Sequence, residues 1–178
     1  VIPEAEQIIS LANNKLNGDN FLQINATETW FKNNYNQFDI IHFATHTLAS
    51  GDDVFDEGAV LLMSDDTNDG NLLNDEIRGM NFEDKLIFLS SCNSAVGEYI
   101  PGEGIKSLAK SFIFSGATGV IASLWQVNDR SIPELSLSFY QHYFDGMTTE
   151  GSIYTAQENY DQVHSFLKYP FVHFAKGH

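Results

Sequence analysis

The chain has 178 residues, of which 43% are hydrophobic, so it suits one compact domain with a sizeable core and excludes a disordered or collagen-like chain. Nine basic residues against 24 acidic ones give a net charge of −15, which argues against nucleic acid or an anionic membrane as partner and favours a basic peptide or a cation. A single cysteine, Cys92, excludes an internal disulfide and favours a reducing compartment, so we expect a cytoplasmic location. No apolar run approaches the roughly 18 residues that a membrane span needs.

In the first half of the chain, two patterns are informative. Thr27 is placed to cap a helix whose Trp30, Phe31 and Tyr35 face inward. The nearly continuous apolar run 38–44 is typical of a buried parallel strand. The other predicted elements of this half are a helix over 3–16, short strands over 21–24 and 59–63, a polar loop over 47–57, a turn over 65–71 and a helical turn over 74–78.

The second half predicts two more buried strands, over 85–89 and 118–124. Helices are predicted over 103–114, 131–144 and 149–166. Strands that alternate with helices in this way predict an α/β domain with a mostly parallel sheet and right-handed crossovers.

Chemically competent residues follow the predicted parallel strands. His46 follows the first of these strands, Cys92 the second and Asp129 the third. Because the carboxyl ends of parallel strands meet at one edge of a sheet, we expect His46 and Cys92 to lie close together if their strands are neighbours. An imidazole beside a thiol can remove its proton and later protonate a leaving amine, which is the arrangement of a cysteine nucleophile. A histidine 46 residues before the cysteine fits the order of caspases, although the caspase fingerprint around the cysteine is absent.

Five segments in order carry a family resemblance. They are IHFATHT (41–47), LIFLSSCNSAVG (86–97), EGIKSLAKSFIFSGATGVIASLWQVND (103–129), FYQHYFDG (139–146) and TAQENY (155–160). Together they resemble the CHAT family (caspase HetF associated with tetratricopeptide repeats), in the clan of caspases, separases and gingipains. The resemblance implies one domain over 1–178 with a caspase-like three-layer sandwich, in which helices flank a mostly parallel sheet. It also implies a bacterial parent chain with N-terminal helical repeats. The start at Val1 rather than Met agrees with a piece of a longer chain.

The same resemblance assigns site residues. It implies Cys92 as nucleophile, His46 as its partner, and an oxyanion hole formed by the backbone N–H groups of Cys92 and Thr47. Where this chain has Thr47 the family usually has glycine, which tolerates more backbone conformations than a β-branched residue. Either the loop still directs that N–H correctly, or the site is weak or inactive. The family also leads us to expect a Trp-containing strand near the C-terminus, where 169–178 offers only Phe171, His173 and Phe174.

Two further acidic features have alternative interpretations. Asp129 matches an aspartate of separase-like enzymes and could bind a basic P1 side chain, or it could decorate the N-terminus of the next helix, where Ser131 and Glu134 form a capping box. Residues 65–76 nearly fit a calcium-binding EF-hand loop, but Thr67 is a poor ligand and a strand precedes the loop where a helix should be.

The sequence therefore predicts a cysteine endopeptidase that cleaves a protein substrate with a Cys92–His46 dyad. A preference for a basic P1 residue follows if Asp129 lines the substrate pocket, and not if Asp129 decorates the next helix. We expect no cofactor and no metal. The expected partners are a protein or peptide substrate and the helical repeats of the parent chain, not nucleic acid or membrane. The alternatives are a catalytically inactive CHAT module that acts as a protein-binding scaffold, and a calcium-binding α/β domain. His42, which lies within the predicted strand 38–44 and four residues before His46, is interpreted as a hydrogen-bonded core residue.

Overall fold

A four-stranded sheet forms the centre of the fold. The structure, a computed structural model, describes residues 25–48, 58–90, 98–100, 104–124, 132–160 and 169–175, with only the backbone described for 98–100 and 104–106. The strands of this sheet are β1 (Ile40–Phe43), β5 (Leu86–Leu89), β8 (Gly119–Ser123) and β9 (Phe171–Ala175), in the order β1-β5-β8-β9. β1, β5 and β8 are parallel, and β9 runs antiparallel to β8. The predicted α/β class with a mostly parallel sheet is confirmed.

Helices cover both faces of the sheet. The described helices are α1 (Glu28–Asn34), α2 (Asn74–Gly79), α3 (Leu108–Phe114), α4 (Ile132–Phe144) and α5 (Thr149–Asn159). Alternate residues of each strand point to opposite faces, so β5 sends Ile87 and Leu89 into the core that holds residues of α1, α2 and α3. Leu86 and Phe88 enter the second core, beside residues of α4 and α5. Two buried faces explain why β5 is hydrophobic at every position, and the arrangement is the predicted three-layer sandwich.

Three helix starts follow the usual capping chemistry. The Thr27 hydroxyl accepts a hydrogen bond from the backbone N–H of Trp30 (3.1 Å), as predicted, and Phe31 and Tyr35 are buried one turn apart. Ser107 caps α3 and Thr148 caps α5 in the same way. Among the described residues, no helix combines the length and the apolar character that crossing a membrane requires.

A second, antiparallel sheet lies beside the first. It consists of β2 (Thr47–Leu48), β3 (Ala59–Leu61) and β4 (Asn71–Leu73), in that order. The predicted polar loop over 47–57 is therefore wrong at its start, because Thr47 pairs with Val60 and Leu48 with Ala59. The predicted strand over 59–63 is present as β3, but it belongs to this smaller sheet. The remainder of that loop, 49–57, lies outside the described residues.

Two predicted helices have different bounds. The helix expected over 103–114 begins only at Leu108, and the preceding Gly104–Lys106 is a strand (β7) paired with Glu98–Ile100 (β6) in an antiparallel hairpin. Ser107 sets that start because its hydroxyl accepts from the N–H of Lys110. The helix expected over 149–166 ends at Asn159, since Tyr160 already has an extended backbone. The elements predicted over 3–16 and 21–24 lie outside the described residues.

The C-terminal strand forms without tryptophan. Phe171–Ala175 pairs along the whole of β8, and the buried Phe171 ring packs edge-on against Phe88 at 5.4 Å. The side-chain oxygen of the buried Gln157 accepts from the N–H of Phe171 (2.8 Å), which ties the strand to α5. A strand near the C-terminus is thus present, and its buried Phe171 fills the same core as α4 and α5.

His173 of β9 lies across a glycine of β8. A Cβ added at Gly119 would come within 2.6 Å of Nε2 of His173 and 3.3 Å of Cδ1 of Leu86, so glycine is needed here for close approach. Burial lowers the pKa of His173, and the carboxylate of Glu150 partly opposes that shift. A neutral ring therefore packs on the sheet at this point.

We expect Gly119→Ala to lower the free energy of unfolding by about 2 kcal/mol, since overpacking of a tight site costs on the order of 1–3 kcal/mol. In a His173→Ala background the penalty should shrink, because the ring that the new methyl meets is gone. Gly79→Ala is the control, as a Cβ there meets nothing within 4 Å. Denaturant unfolding of Gly119→Ala, His173→Ala, their double variant and Gly79→Ala measures the coupling between Gly119 and His173. Equal penalties for Gly119→Ala with and without the His173 ring would contradict this packing account.

Candidate active site

The strands that lead to His46 and Cys92 are neighbours in the sheet. Phe43, the last residue of β1, lies opposite Leu89, the last residue of β5. Beyond this pair, the Ser90 N–H and hydroxyl both reach the Phe43 carbonyl, at 3.2 and 3.1 Å. We expect His46 and Cys92 to lie close together if the strands before them are neighbours, and β1 and β5 are neighbours.

The backbone of His46 is held by the second sheet. Its carbonyl accepts from the N–H of Leu61 (2.9 Å), and the hydroxyl of the preceding Thr45 donates to the Leu61 carbonyl (2.6 Å). The side chain of His46 is exposed. β3 therefore anchors the histidine through main-chain contacts, and its imidazole stays accessible to a substrate.

Thr47 has an extended backbone with a defined direction. The Leu61–His46 bond makes those two residues a hydrogen-bonded pair, so the next pair, Thr47 and Val60, is a non-hydrogen-bonded one. Residues of such a pair direct their N–H groups away from the partner strand, and the N–H of Thr47 points to the side opposite β3. Extended backbone suits a β-branched residue, and among the described residues only Asp84 combines a side chain with positive φ. The strain that Thr47 suggested in place of glycine does not arise.

His42, four residues earlier, has a different environment. Its ring stacks on Phe88 with centroids 4.6 Å apart and an angle of 13°. Nδ1 lies 2.9 Å from the Tyr140 hydroxyl and Nε2 3.1 Å from the Ser90 hydroxyl. The interpretation of His42 as a hydrogen-bonded core histidine is confirmed. No sequence signal had pointed to Tyr140, which lies 98 residues away on α4.

Two of the predicted site residues are not placed by the structure. Cys92 and Asp129 lie in the segments 91–97 and 125–131, outside the described residues. The structure thus brings together the two strands, His46 and Thr47. The roles of the thiol and of the acidic residue stay predictions.

The acidic loop over 65–76 uses its carboxylates within the turn. One oxygen of Asp65 accepts from the N–H groups of Thr67 (2.8 Å) and Asn68 (3.2 Å) and from a nearby threonine hydroxyl. The Thr67 N–H, with the threonine hydroxyl next, lowers the pKa of Asp65, and the Asn71 N–H does the same for Asp69. Each carboxylate is bound to its own backbone donor, and no cluster of three metal-ligating side chains occurs in the part of the chain that the structure describes.

A lysine joins this loop to α1. The ammonium of Lys32 lies 2.5 Å from the buried Glu28 and 2.6 Å from Glu76, and it donates to the Asn68 side chain (3.1 Å). Burial depresses the pKa of Lys32, but the bonds to Glu28 and Glu76 outweigh it, so the pKa is raised. Glu76, the residue that an EF-hand-like loop would use at its twelfth position, is thus paired with a lysine of α1.

The buried Glu28 also holds the turn before β4. Its second oxygen accepts from the N–H of Gly70 (2.7 Å), whose φ of +89° and close contact with the Leu62 carbonyl exclude a side chain. The N–H of Leu62 in turn donates to the Gly70 carbonyl (2.7 Å). α1, the acidic turn and β3 form one connected support beneath the His46 backbone.

Comparison with known proteins agrees with this geometry. No curated protein matches the chain. The family model of the CHAT domain matches residues 1–175, nearly the full length. Neighbouring strands lead to the histidine and the cysteine of the family motifs, and a three-layer α/β sandwich surrounds these strands. The chain therefore belongs to the CHAT domain family, a family of caspase-like peptidase fold.

Proposed function

We propose that this domain is a cysteine endopeptidase in which Cys92 is the nucleophile and His46 its acid–base partner. The observation that carries the proposal is the register of β1 with β5. Phe43 lies opposite Leu89, and His46 and Cys92 each come three residues after these partners. Two residues of extended chain span about 7 Å, so Cys92 is tethered close to Ser90, which is itself bonded to Phe43.

The chemistry would proceed through an acyl-enzyme. His46 takes the thiol proton, and the sulfur of Cys92 attacks the scissile carbonyl carbon to form a C–S bond while the carbonyl oxygen becomes an oxyanion. Collapse of this intermediate breaks the C–N bond, and His46 gives its proton to the leaving amine. Water then attacks the thioester with His46 as base, which releases the carboxylate and restores the thiol.

The oxyanion would be held by two backbone N–H groups. The N–H of Thr47, which points away from β3, supports its role as one donor, and the N–H of Cys92 would be the other. The exposed imidazole of His46 lies one residue before Thr47, so acid–base group and oxyanion donor leave the same strand end. Main-chain donors of this kind stabilise the charge that develops only in the transition state.

Cys92→Ala and His46→Ala should each abolish peptide cleavage and leave the melting temperature nearly unchanged, because His46 is exposed and held through its backbone. The double variant should be no worse than either single one, since the two groups act as a unit. Cleavage of a peptide library by the protein, followed by mass spectrometry, measures this. Full activity of Cys92→Ala would refute the peptidase proposal; wild-type inactivity with retained protein binding would favour the scaffold alternative.

Thr47→Pro tests the oxyanion donor directly. Proline removes the N–H without breaking a bond to β3, because that N–H is directed away from the ladder. We expect kcat to fall by about 10²–10³, the usual cost of one oxyanion donor. Thr47→Ala keeps the N–H and is the control. Thr47→Gly should not raise kcat, since extended Thr47 carries no strain to relieve; a clear rise would restore the strain hypothesis.

Asp129 is proposed to bind a basic P1 side chain. Asp129→Ala should then reduce cleavage after Arg or Lys by orders of magnitude and spare substrates with a neutral P1 residue, because a desolvated cation would lose its partner. A capping role predicts a different result, a loss of about 1 kcal/mol in stability and an equal effect on all substrates. A P1 scan of wild type and Asp129→Ala distinguishes the two, and a uniform change would end the pocket assignment.

A further inference from the structure

A line of hydrogen bonds joins α4 to the strand end that leads to the proposed nucleophile. It runs from Tyr140 through His42 to Ser90, with Tyr140–His42 and His42–Ser90 distances of 2.9 and 3.1 Å. Ser90 is the last described residue before Cys92 and lies two positions from it. Tyr140 and Ser90 are both buried, and His42 is partly buried between them.

The bonds have a consistent direction. The Ser90 hydroxyl donates its one proton to the Phe43 carbonyl (3.1 Å), so its oxygen accepts from an N–H at Nε2 of His42. With that direction, Nδ1 accepts from the Tyr140 hydroxyl, which corresponds to the Nε2–H tautomer of His42. Because both ring nitrogens are bound, His42 is unsuited to act as the base.

Several contacts restrain the ring and the serine. His42 stacks on Phe88, and the Phe88 ring also packs 5.9 Å from Tyr140, so the imidazole has little freedom to rotate. Ser90 is bonded to Phe43 by both its N–H and its hydroxyl. Rotation of Ser90 would therefore break bonds to β1 and to His42 together.

We propose that Tyr140 and His42 are positioning residues that orient the carboxyl end of β5, through Ser90, so that Cys92 meets His46. This inference rests on the proposed Cys92–His46 dyad. Nucleophile and base need placement within about 0.5 Å, and a misplacement of 1 Å costs roughly 10²-fold in rate. Tyr140, His42 and Ser90 restrain the strand end two positions before the thiol, and by the proposal this restraint contributes to the placement of the thiol.

Tyr140→Phe tests the inference, because it removes one hydroxyl and keeps the ring packing. Tyr143→Phe is the matched control: Tyr143 lies on the same helix, its ring stacks on Phe139, and its hydroxyl has no hydrogen-bond partner among the described residues. We expect kcat of Tyr140→Phe to fall about 10- to 100-fold with KM within about twofold, and that of Tyr143→Phe to stay at the wild-type value.

Two readouts do not depend on turnover. Nitrogen NMR of His42 should show the Nε2–H tautomer in wild type and Tyr143→Phe, and a loss of that preference in Tyr140→Phe. Because Cys92 is the only cysteine, its alkylation by iodoacetamide at pH 7 reports the thiolate, and it should be slower in Tyr140→Phe than in the control.

The outcomes separate the two proposals. If Cys92→Ala abolishes cleavage but Tyr140→Phe matches Tyr143→Phe in kcat and alkylation rate, the positioning role is wrong and the peptidase proposal stands. If Cys92→Ala keeps full activity, both are wrong. If both tyrosine variants lose the same melting temperature and the same kcat, the loss comes from the packing of α4 and not from the Tyr140–His42 hydrogen bond, and the positioning role is wrong.

Discussion

The parallel pairing of β1 with β5, in which Phe43 lies opposite Leu89, fixes the core and the candidate site together. Parallel strands bury both faces, and β5 accordingly sends Ile87 and Leu89 to one core and Leu86 and Phe88 to the other. The same register places the residues three positions before His46 and three positions before Cys92 opposite each other. A shift by one residue would exchange the two faces and separate the dyad motifs, so packing and the proposed chemistry are set by one constraint.

Support for the histidine comes from a different source. The backbone of His46 is bonded to β3, β3 is joined to the Gly70 turn, and that turn is held by the buried Glu28. Lys32 balances the charge of Glu28, since a buried carboxylate without a partner would be costly. The loop that resembles a calcium site is therefore a structural support, and its cation is a side chain of α1.

The two histidines of β1 and its extension have separate tasks in this account. His42 has both ring nitrogens bonded and lies in the aromatic core, whereas His46 is exposed beside the N–H of Thr47. One ring is suited to fix geometry and the other to exchange protons with a substrate. The restrained ring of His42 lies on the strand, and the reactive ring of His46 lies beyond the strand end. The proposed cysteine chemistry requires both a rigid support and a ring that a substrate can reach.

The sequence by itself determined the three parallel strands, the Thr27 cap and the family, because buried parallel strands are nearly continuous hydrophobic runs and the family motifs are contiguous. It also identified His42 as a core residue. It misjudged Thr47, which was assigned to a loop, and the start of α3, because a two- or three-residue strand has too few positions to show a period. Only the tertiary structure decided that Thr47 is extended and free of strain, that Lys32 bonds to Asn68 and Glu76 of the acidic loop, and that Tyr140 reaches His42. Each of these depends on contacts between residues far apart in the chain, and such contacts leave no local pattern.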